Sequence, residues 1–463
     1  MDTLNIYKRF PVFLQNLSVS LKGLDIQRNR YTKEFTEILE IAEKRLLWTP
    51  EQIREYRDNR LANYIHNVFN NVPFYQNLFL ELNIRPEEIT SLSDLARLPI
   101  LNKDIVKENY PDLISTAIPS RSQVIDHTSG TTGSGFRFIT TSQAQREQWA
   151  IWWRYRRYHG IKRGTLCGYF GGRSIVPPSQ NYPPFWRYDH PGSRILFSAY
   201  HMSKDNFSSY VKEIRKKQPP WIHGYPSLIS LLASYIVETG DDIGYQVDWI
   251  TTGAENLLEQ QKLIIQQAFG IYPIEHYGLA EAVANFSECR NGHLHVDEDF
   301  SAVEFIPDPL SSGYKVLGTN LSNLAFPLIR YDTGDIVQLD EVECNCGLPG
   351  RVVSSVDGRQ EDYVILEDGS RLGRLDHMFK DSTHIREAQI YQKEIGVIIV
   401  RVVPNPNFTE EDKSNLLNQF RKRVGNRLKV NIALLQKIER SSTGKLRLVV
   451  SDIDQGQLKK GEL

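Results

Sequence analysis

The sequence is poor in cysteine and has almost no net charge. It holds four cysteines among 463 residues, with 55 basic and 56 acidic side chains and a formal net charge of −1. So few cysteines exclude a disulfide scaffold and are typical of a reducing compartment. The balanced charge produces no overall field that would attract nucleic acid or an anionic membrane, so we expect neither as a partner.

Long apolar runs are also missing. No stretch approaches the roughly 18 apolar residues that a membrane-spanning helix needs. The N-terminal segment MDTLNIYKRF lacks the apolar core of a secretory signal. We therefore expect a cytoplasmic protein without a membrane span. The hydrophobic share of 40% is that of globular proteins, and 463 residues predict two or more domains.

The apolar patterns predict the α/β fold class. Helical spacing marks residues 30–47 and 50–70, the second helix leading into an extended segment, NNVPFYQ. From about 145 to 280, short buried strands alternate with helical stretches, which indicates a largely parallel sheet. The strands are predicted at Leu166–Phe170, Pro220–His223 and Val247–Thr252.

Two further changes of pattern predict the domain organisation. Residues 294–357 turn into short β-rich pieces separated by Gly and Pro, which indicates a barrel-like part or an antiparallel sheet. After Gly358 the pattern restarts as a strand, a helix and a β-rich tail. We therefore expect a large domain over 1–360, binding the nucleotide and the acid, and a small, mobile α+β domain over 361–463.

The segment Thr128–Gly135 combines three glycines with hydroxyl side chains. Glycines let backbone N–H groups approach an anion, and hydroxyls add donors, so the segment is typical of a phosphate loop. A polar surface turn can have the same composition. A Walker A loop does not fit, because Phe136 stands where the essential lysine belongs after Gly135.

The loop instead resembles the signature phosphate loop of the adenylate-forming superfamily, which includes acyl-CoA synthetases, adenylation domains of peptide synthetases and luciferases. The matching residues are Thr128, Ser129, Gly130, Thr131, Thr132 and Gly133. This family usually has a lysine shortly after the last glycine, and this chain lacks it. Phosphate binding would then depend more on backbone N–H groups and hydroxyls.

Two later segments resemble the nucleotide-binding motifs of the same superfamily. Thr252–Glu255, with Gly253, Ala254 and Glu255, resembles the segment on the adenine side. Tyr277–Glu281 resembles the Tyr-Gly-x-x-Glu motif, which implies that Tyr277 and Gly278 lie at adenine and that Glu281 binds Mg²⁺. Ala280 stands at the commoner threonine position and removes one hydroxyl.

Three more motifs follow in the family's order. Tyr331–Asp335 resembles the Tyr-x-Thr-Gly-Asp motif, in which the last carboxylate, Asp335, binds ribose. Gly358–Asp362 resembles the hinge segment, which implies a nucleotide contact for Arg359 and a hinge at Glu361. Ser441–Lys445 resembles the C-terminal Gly-Lys loop, which makes Lys445 the catalytic lysine of adenylation. Each residue alone also fits an ordinary surface or turn position.

Within the superfamily, the chain is most similar to the phenylacetate–CoA ligase family, particularly members associated with capsular polysaccharide. The segments that carry this resemblance are Asn71–Tyr75, His223–Ser227, Pro327–Tyr331 and Cys344–Gly347. It extends over nearly the whole chain. It implies ATP-dependent activation of a small-molecule carboxylic acid as acyl-AMP, with CoA as the expected second substrate.

The acid pocket is the least specific prediction. His223, Gly224, Tyr225 and His201 are its candidate residues, although both histidines also fit structural positions.

A homodimer is compatible with the sequence. Two other functions stay open: transfer of AMP to a hydroxylated acceptor, and a non-catalytic, nucleotide-binding role in polysaccharide assembly.

A structural Zn²⁺ site is predicted from three cysteines and a histidine. Cys289, His295, Cys344 and Cys346 form a Cys₃His set, the ligand type of tetrahedral zinc, and the family often carries it. His293 competes with His295 for the fourth position. Three buried thiols without metal are the alternative. Cys167 lies in an apolar strand and is expected to be core.

Overall fold

The elements of the chain are given by a computed structural model. It describes residues 3–127, 137–177, 179–203, 205–309, 312–339, 344–359, 364–365, 371–372, 379, 384–424, 428–440 and 446–453. The helices are α1 (Thr3–Lys8), α2 (Val12–Arg30), α3 (Lys33–Arg45), α4 (Pro50–Asn71), α5 (Pro73–Glu81), α6 (Lys103–Glu108), α7 (Ser142–Tyr158), α8 (Phe207–Lys217), α9 (Pro226–Thr239), α10 (Glu259–Phe269) and α11 (Glu410–Val424).

The strands follow the same numbering along the chain. They are β1 (Gln123–His127), β2 (Arg137–Thr141), β3 (Cys167–Gly171), β4 (Trp186–Asp189), β5 (Arg194–Ser198), β6 (Trp221–Gly224), β7 (Trp249–Thr252), β8 (His276–Gly278), β9 (Asn285–Glu288), β10 (Leu294–Val296), β11 (Ser301–Pro307), β12 (Tyr314–Asn320), β13 (Tyr331–Gln338), β14 (Val352–Val353), β15 (Ser355–Arg359), β16 (Val364–Ile365), β17 (Arg371–Leu372), β18 (Ile385–Glu394), β19 (Val397–Pro404), β20 (Lys429–Leu434) and β21 (Val449–Ser451).

A five-stranded sheet of order β4-β5-β3-β6-β7 forms the centre of the large part of the chain. All of its neighbours pair in parallel except β4 and β5. Helices α8, α9 and α10 pack their apolar faces on one side of this sheet, and α3 and α7 pack on the other. The predicted parallel α/β core is therefore confirmed.

The register of the central sheet decides which side chains meet. Tyr169 is paired with His223, and His223 with Thr251. Since side chains alternate between the two faces of a sheet, these three lie side by side on one face. Trp153 of α7 packs in the cluster that covers this face. Polar groups therefore lie on the face of the sheet that α7 covers.

Two four-stranded antiparallel sheets make up the predicted β-rich part. Their strand orders are β14-β10-β9-β8 and β11-β12-β13-β15, and apolar residues from both form one cluster. The small C-terminal part has the sheet β20-β19-β18-β21, against which α11 packs. The fold class, with a large N-terminal and a small C-terminal part, is confirmed. The boundary at 360/361 falls outside the described residues and stays a prediction.

The N-terminal region differs from the prediction. The segment NNVPFYQ is not extended, because α4 runs to Asn71 and α5 begins at Pro73, so that Val72 alone lies outside a helix. Proline favours the first helical position, where its fixed φ suits the helix and its missing N–H is not needed. The long helix α2 was not predicted. It covers the edge strand β4, where the backbone N–H of Tyr188 donates to Oδ1 of Asn16 at 3.0 Å.

Buried ion pairs join the N-terminal helices to the segment after β10. Arg154 of α7 donates to Asp297 at 2.7 Å and to Asp299 at 2.7 Å, and Arg45 of α3 also donates to Asp299. All four side chains are buried. Losing one partner of such a group would leave a charge without water or a counter-ion.

In the described part of the chain, no helix is long and apolar enough to cross a bilayer.

Candidate adenylation site

Tyr277 and Asp335 meet between the two antiparallel sheets. The ring of Tyr277 stacks on Phe286 with centroids 4.5 Å apart and an interplanar angle of 20°. Its hydroxyl donates to Oδ2 of Asp335 at 2.7 Å. Asp335 lies opposite Arg359 in the register of β13 and β15. The structure therefore brings together three residues that the motifs had placed at adenine and ribose.

Local hydrogen bonds shape the turn that presents Asp335. The backbone N–H of Gly334 donates to Oδ1 of Asp332 at 2.9 Å, and that of Asp335 donates to Oγ1 of Thr333 at 3.1 Å. Gly334 has φ of +74°, which glycine adopts without steric cost. Short polar side chains that bond the backbone two residues on are typical of such turns. Asp335 itself is buried, at 6% exposure.

The segment Thr252–Glu255 leaves the end of β7 beside β8. A Cβ atom on Gly253 would lie 3.2 Å from the carbonyl oxygen of His276, the residue before Tyr277. Ala254, with φ of +67°, turns the chain there. The adenine-side segment therefore adjoins the strand of Tyr277, as the motifs imply.

Glu255 connects this segment to the C-terminal part of the chain. Its Oε1 accepts a hydrogen bond of 2.8 Å from the backbone N–H of Leu446, and its Oε2 accepts one of 3.2 Å from that of Ser227. Arg440 donates to Oγ of Ser227 at 2.7 Å. Together these contacts hold the residues on either side of segment 441–445 against the large part.

Several predicted residues lie outside the described residues. They are the phosphate-loop residues Thr128, Ser129, Gly130, Thr131, Thr132 and Gly133, the hinge Glu361 and the lysine Lys445. The phosphate-loop segment connects β1 to β2, whose last paired residues are His127 and Arg137.

Glu281, the predicted Mg²⁺ ligand, is among the described residues. Its side chain is buried, at 9% exposure, and its backbone carbonyl oxygen accepts a hydrogen bond from Nδ2 of Asn320 at 2.7 Å. The buried carboxyl group of Glu281 has the oxygen chemistry that suits Mg²⁺.

The predicted acid-pocket residues lie along β6 and its exit. Nδ1 of His223 lies 2.8 Å from Oγ1 of Thr251. Burial, and then the nearby charges of Arg156 and Arg194, lower the pKa of His223 to about 3, so its imidazole is neutral at physiological pH. A Cβ on Gly224 would lie 1.9 Å from the carbonyl oxygen of Phe170, so the close approach of these strands requires glycine.

The other two acid-pocket candidates have different surroundings. Tyr225 begins the turn into α9, and its backbone N–H donates to the carbonyl oxygen of Phe170 at 2.9 Å. His201 stacks on Phe185 at 5.0 Å, and its Nδ1 lies 2.8 Å from Oγ of Ser198. The stacking on Phe185 is compatible with a structural role for His201, which was the alternative to substrate binding. A role of His201 in substrate binding stays a prediction.

The sequence analysis did not predict that side chains of α7 contact His276 and Asn285, close to Tyr277. Trp152 donates from Nε1 to Oδ1 of Asn285 at 2.9 Å, and it lies edge-on to His276 at 5.8 Å. His276 stacks on Tyr155 at 4.5 Å. The signal was present as the aromatic and arginine-rich stretch WAIWWRYRRY, whose helical spacing places Trp152 and Arg156 on one face.

The four predicted zinc ligands form one cluster. Ligand atoms of Cys289, His295, Cys344 and Cys346 all lie within 4.8 Å of one another. The Sγ atoms of Cys289 and Cys344 are 3.7 Å apart. Two thiolates at about 2.3 Å from a tetrahedral zinc would be separated by about 3.8 Å, so the geometry fits. Nε2 of His295 is 3.3 Å from Sγ of Cys346, so the predicted histidine ligand lies in the cluster, and Nδ1 of its competitor His293 is 3.3 Å from Sγ of Cys344.

Comparisons with known proteins test the predicted resemblance. The family of the CapK C-terminal domain matches residues 365–452. Protein CapK of Staphylococcus aureus is 26% identical over 97% of this chain and 99% of its own length. A phenylacetate-coenzyme A ligase of Thermus thermophilus is 24% identical over 86% of this chain and 96% of its own length. The predicted resemblance to adenylate-forming ligases is confirmed.

A solved structure shows the same fold. A 2-hydroxyisobutyryl-CoA ligase, crystallised in the postadenylation state, matches with a TM-score of 0.69 and 18% identity. The match covers 90% of this chain and 93% of the ligase. The same ligase in its thioesterification state matches with a TM-score of 0.54. The chain thus shares the fold of an acyl-CoA ligase along almost its full length.

Proposed function

We propose that this protein activates a carboxylic acid with ATP as acyl-AMP and transfers the acyl group to CoA or another acceptor. The observation that carries the proposal is the hydrogen bond from the backbone of Leu446 to Glu255. It joins the residue that follows the C-terminal Gly-Lys motif to the last residue of the adenine-side motif. The relationship to acyl-CoA ligases supports the same chemistry.

The nucleotide would lie between the motifs that the fold brings together. Ala254 and Tyr277 adjoin the expected position of adenine. The carboxylate of Asp335 would accept hydrogen bonds from the ribose hydroxyls, with Arg359 opposite it on β15. The phosphate loop, Thr128–Gly133, would bind the phosphates through N–H and hydroxyl groups.

In the first step, an oxygen of the substrate carboxylate attacks the α-phosphorus of ATP. The bond from phosphorus to the bridging oxygen breaks, and pyrophosphate leaves. Lys445 would stabilise the negative charge that develops on the phosphate oxygens. Glu281 would hold Mg²⁺, which supplies further positive charge at the phosphates when bound.

In the second step, an acceptor such as the CoA thiol attacks the acyl carbonyl carbon, and AMP leaves. A rotation of the small domain about Glu361 would remove Lys445 from the site and admit the acceptor. This rotation must break the ion pair of Arg386 with Glu238 and the hydrogen bond of Arg440 to Ser227. Polar contacts of this kind can re-form in water, which suits a reversible interface.

The decisive experiment is carboxylate-dependent exchange of labelled pyrophosphate into ATP across a panel of acids. We expect exchange with at least one acid, and AMP and pyrophosphate as the products. Release of ADP and phosphate would contradict adenylation. A parallel assay for CoA thioester separates a ligase from an adenylyltransferase, which would leave AMP on its acceptor.

A further inference from the structure

Arg156 is a buried guanidinium without a carboxylate partner among the described residues. Its side chain is only 5% exposed. Nη1 donates to the carbonyl oxygen of Trp152 at 3.0 Å, and Nε is buried with no hydrogen-bond partner in the part of the chain that the structure describes. Arg154, two residues earlier, instead binds both Asp297 and Asp299.

Aromatic rings surround the Arg156 charge. The Cζ atom lies 5.0 Å from the ring centroid of Tyr155, 5.4 Å from that of Trp153 and 5.6 Å from that of Trp221. Such cation–π contacts offset part of the cost of removing the charge from water. They do not satisfy Nε, and they supply no negative charge. The site is therefore suited to an anion from outside the chain.

The neighbours of Arg156 connect it to the proposed adenine site and to His223, a predicted acid-pocket residue. Trp152 lies one helical turn earlier on α7, and its Nε1 is 3.2 Å from where a Cβ on Gly278 would stand. Gly278 follows Tyr277 at the proposed adenine site. On the other side, Trp221 precedes His223 by two residues on β6, so both side chains share a face of the sheet.

The ionisable groups around Arg156 do not compensate its charge. Burial and the charge of Arg156 lower the pKa of both His223 and His276. Arg194 also acts on His223, but its own charge is compensated by Asp189 at 2.5 Å. Nε2 of His276 is buried and lacks a partner among the described residues. Two neutral imidazoles therefore flank an uncompensated cation, and neutral imidazoles can donate hydrogen bonds.

We propose that Arg156 binds a second carboxylate of the substrate, so that the acid activated here is a dicarboxylic acid. This inference rests on the proposed function, since it assigns a further contact to the substrate of the same reaction. One carboxylate reacts at the α-phosphate, and the other forms hydrogen bonds with the guanidinium. A planar guanidinium is well matched to a carboxylate because two N–H groups can bind its two oxygens.

The test measures acid binding by calorimetry in the absence of ATP. Succinate, glutarate and adipate are compared with butyrate, valerate and hexanoate, which have the same chain lengths and one carboxylate fewer. We expect a diacid to bind at least tenfold more tightly than its monoacid. Arg156→Met should abolish this preference, and Arg156→Lys should retain part of it. The control is Arg157→Met, because Arg157 is exposed on the same helix and pairs with Glu43.

Two results would overturn the inference. One is a wild-type protein that binds the monoacid as tightly as the diacid, a comparison that does not depend on a variant folding. The other is an equal loss of affinity for diacids and monoacids in Arg156→Met.

Pyrophosphate exchange separates the diacid proposal from the proposed adenylation. Diacid binding through Arg156 without exchange would contradict adenylation alone, whereas exchange with monoacids that is unchanged in Arg156→Met would contradict the diacid assignment alone.

Discussion

The backbone N–H of Leu446 donates a hydrogen bond of 2.8 Å to Oε1 of Glu255, across 191 positions of the sequence. Leu446 directly follows Lys445, and Glu255 ends the Thr-Gly-Ala-Glu segment. The second oxygen of the same carboxylate accepts from Ser227. Glu255 therefore holds the C-terminal segment and the start of α9 together at the candidate nucleotide site.

Glu255→Gln should lower the rate of acyl-AMP formation about tenfold. The amide keeps one acceptor oxygen but loses the charge, and hydrogen bonds to charged groups contribute about 1 kcal/mol more than neutral ones. Single-turnover adenylation measures this step. Thioester formation from supplied acyl-AMP should change little, and Glu259→Gln, on an exposed nearby residue, should change neither step. Equal loss of both steps would argue against a contact specific to adenylation.

Lys445→Ala should lower acyl-AMP formation by about 10²-fold, which is typical of losing one electrostatic stabiliser of a transition state. ATP affinity should change far less, since a charge that matters mainly in the transition state contributes little to ground-state binding. Single-turnover kinetics beside ATP titration tests both expectations. Lys437→Ala, at an exposed position, serves as the control. Adenylation by Lys445→Ala at the wild-type rate would remove this lysine from the mechanism.

About one Zn²⁺ per chain should co-purify with the protein, because the Cys₃His cluster has the donor types and spacing of a structural site. Elemental analysis measures the metal. Cys344→Ser should lower the content well below one and reduce thermal stability, since metal binding is coupled to folding. Cys167→Ala should retain the metal, because Cys167 lies in the separate cluster beside Phe35 and Trp153. Unchanged zinc in Cys344→Ser would contradict the site.

The unfolding free energy should depend on pH through His223. Its pKa is lowered from 6.5 to about 3 in the folded protein, so the unfolded chain binds one more proton between these values. Stability contributed by neutral His223 is present above pH 6.5 and is lost as pH falls toward 3, by up to about 1.4 kcal/mol per pH unit. Denaturant unfolding should show a shallower acid dependence in His223→Gln. The exposed His190→Gln should match wild type, and identical slopes for all three proteins would contradict the prediction.

Arg154→Met should destabilise the protein by about 3–5 kcal/mol, because it leaves the buried carboxylates of Asp297 and Asp299 with fewer cations. Denaturant unfolding measures the change. Arg157→Met should cost less than about 1 kcal/mol, since its ion pair with Glu43 is exposed. A loss for Arg154→Met as small as that for Arg157→Met would show that the buried network contributes little.

The sequence predicted the strands around Cys167, Trp221 and Trp249 to within two residues, because buried parallel strands are short apolar runs between turn signals. It did not predict α2, whose residues show weak periodicity and whose helix is held by contacts to β4. It also missed the buried role of Asp297 and Asp299. Carboxylates normally indicate a surface position, and only their arginine partners, far away in the sequence, permit burial.

By itself the sequence determined the fold class, the resemblance to adenylate-forming ligases and the order of the motifs, because motif chemistry resides in contiguous residues and secondary structure follows local periodicity. Only the tertiary structure decided which distant groups meet. It joined Tyr277 to Asp335, Glu255 to Leu446, and Cys289 to Cys344. It also decided that Arg154 is compensated by Asp297 and Asp299, while Arg156 has no carboxylate partner among the described residues. Charge compensation depends on distances between elements that pack together, and no local pattern encodes those distances.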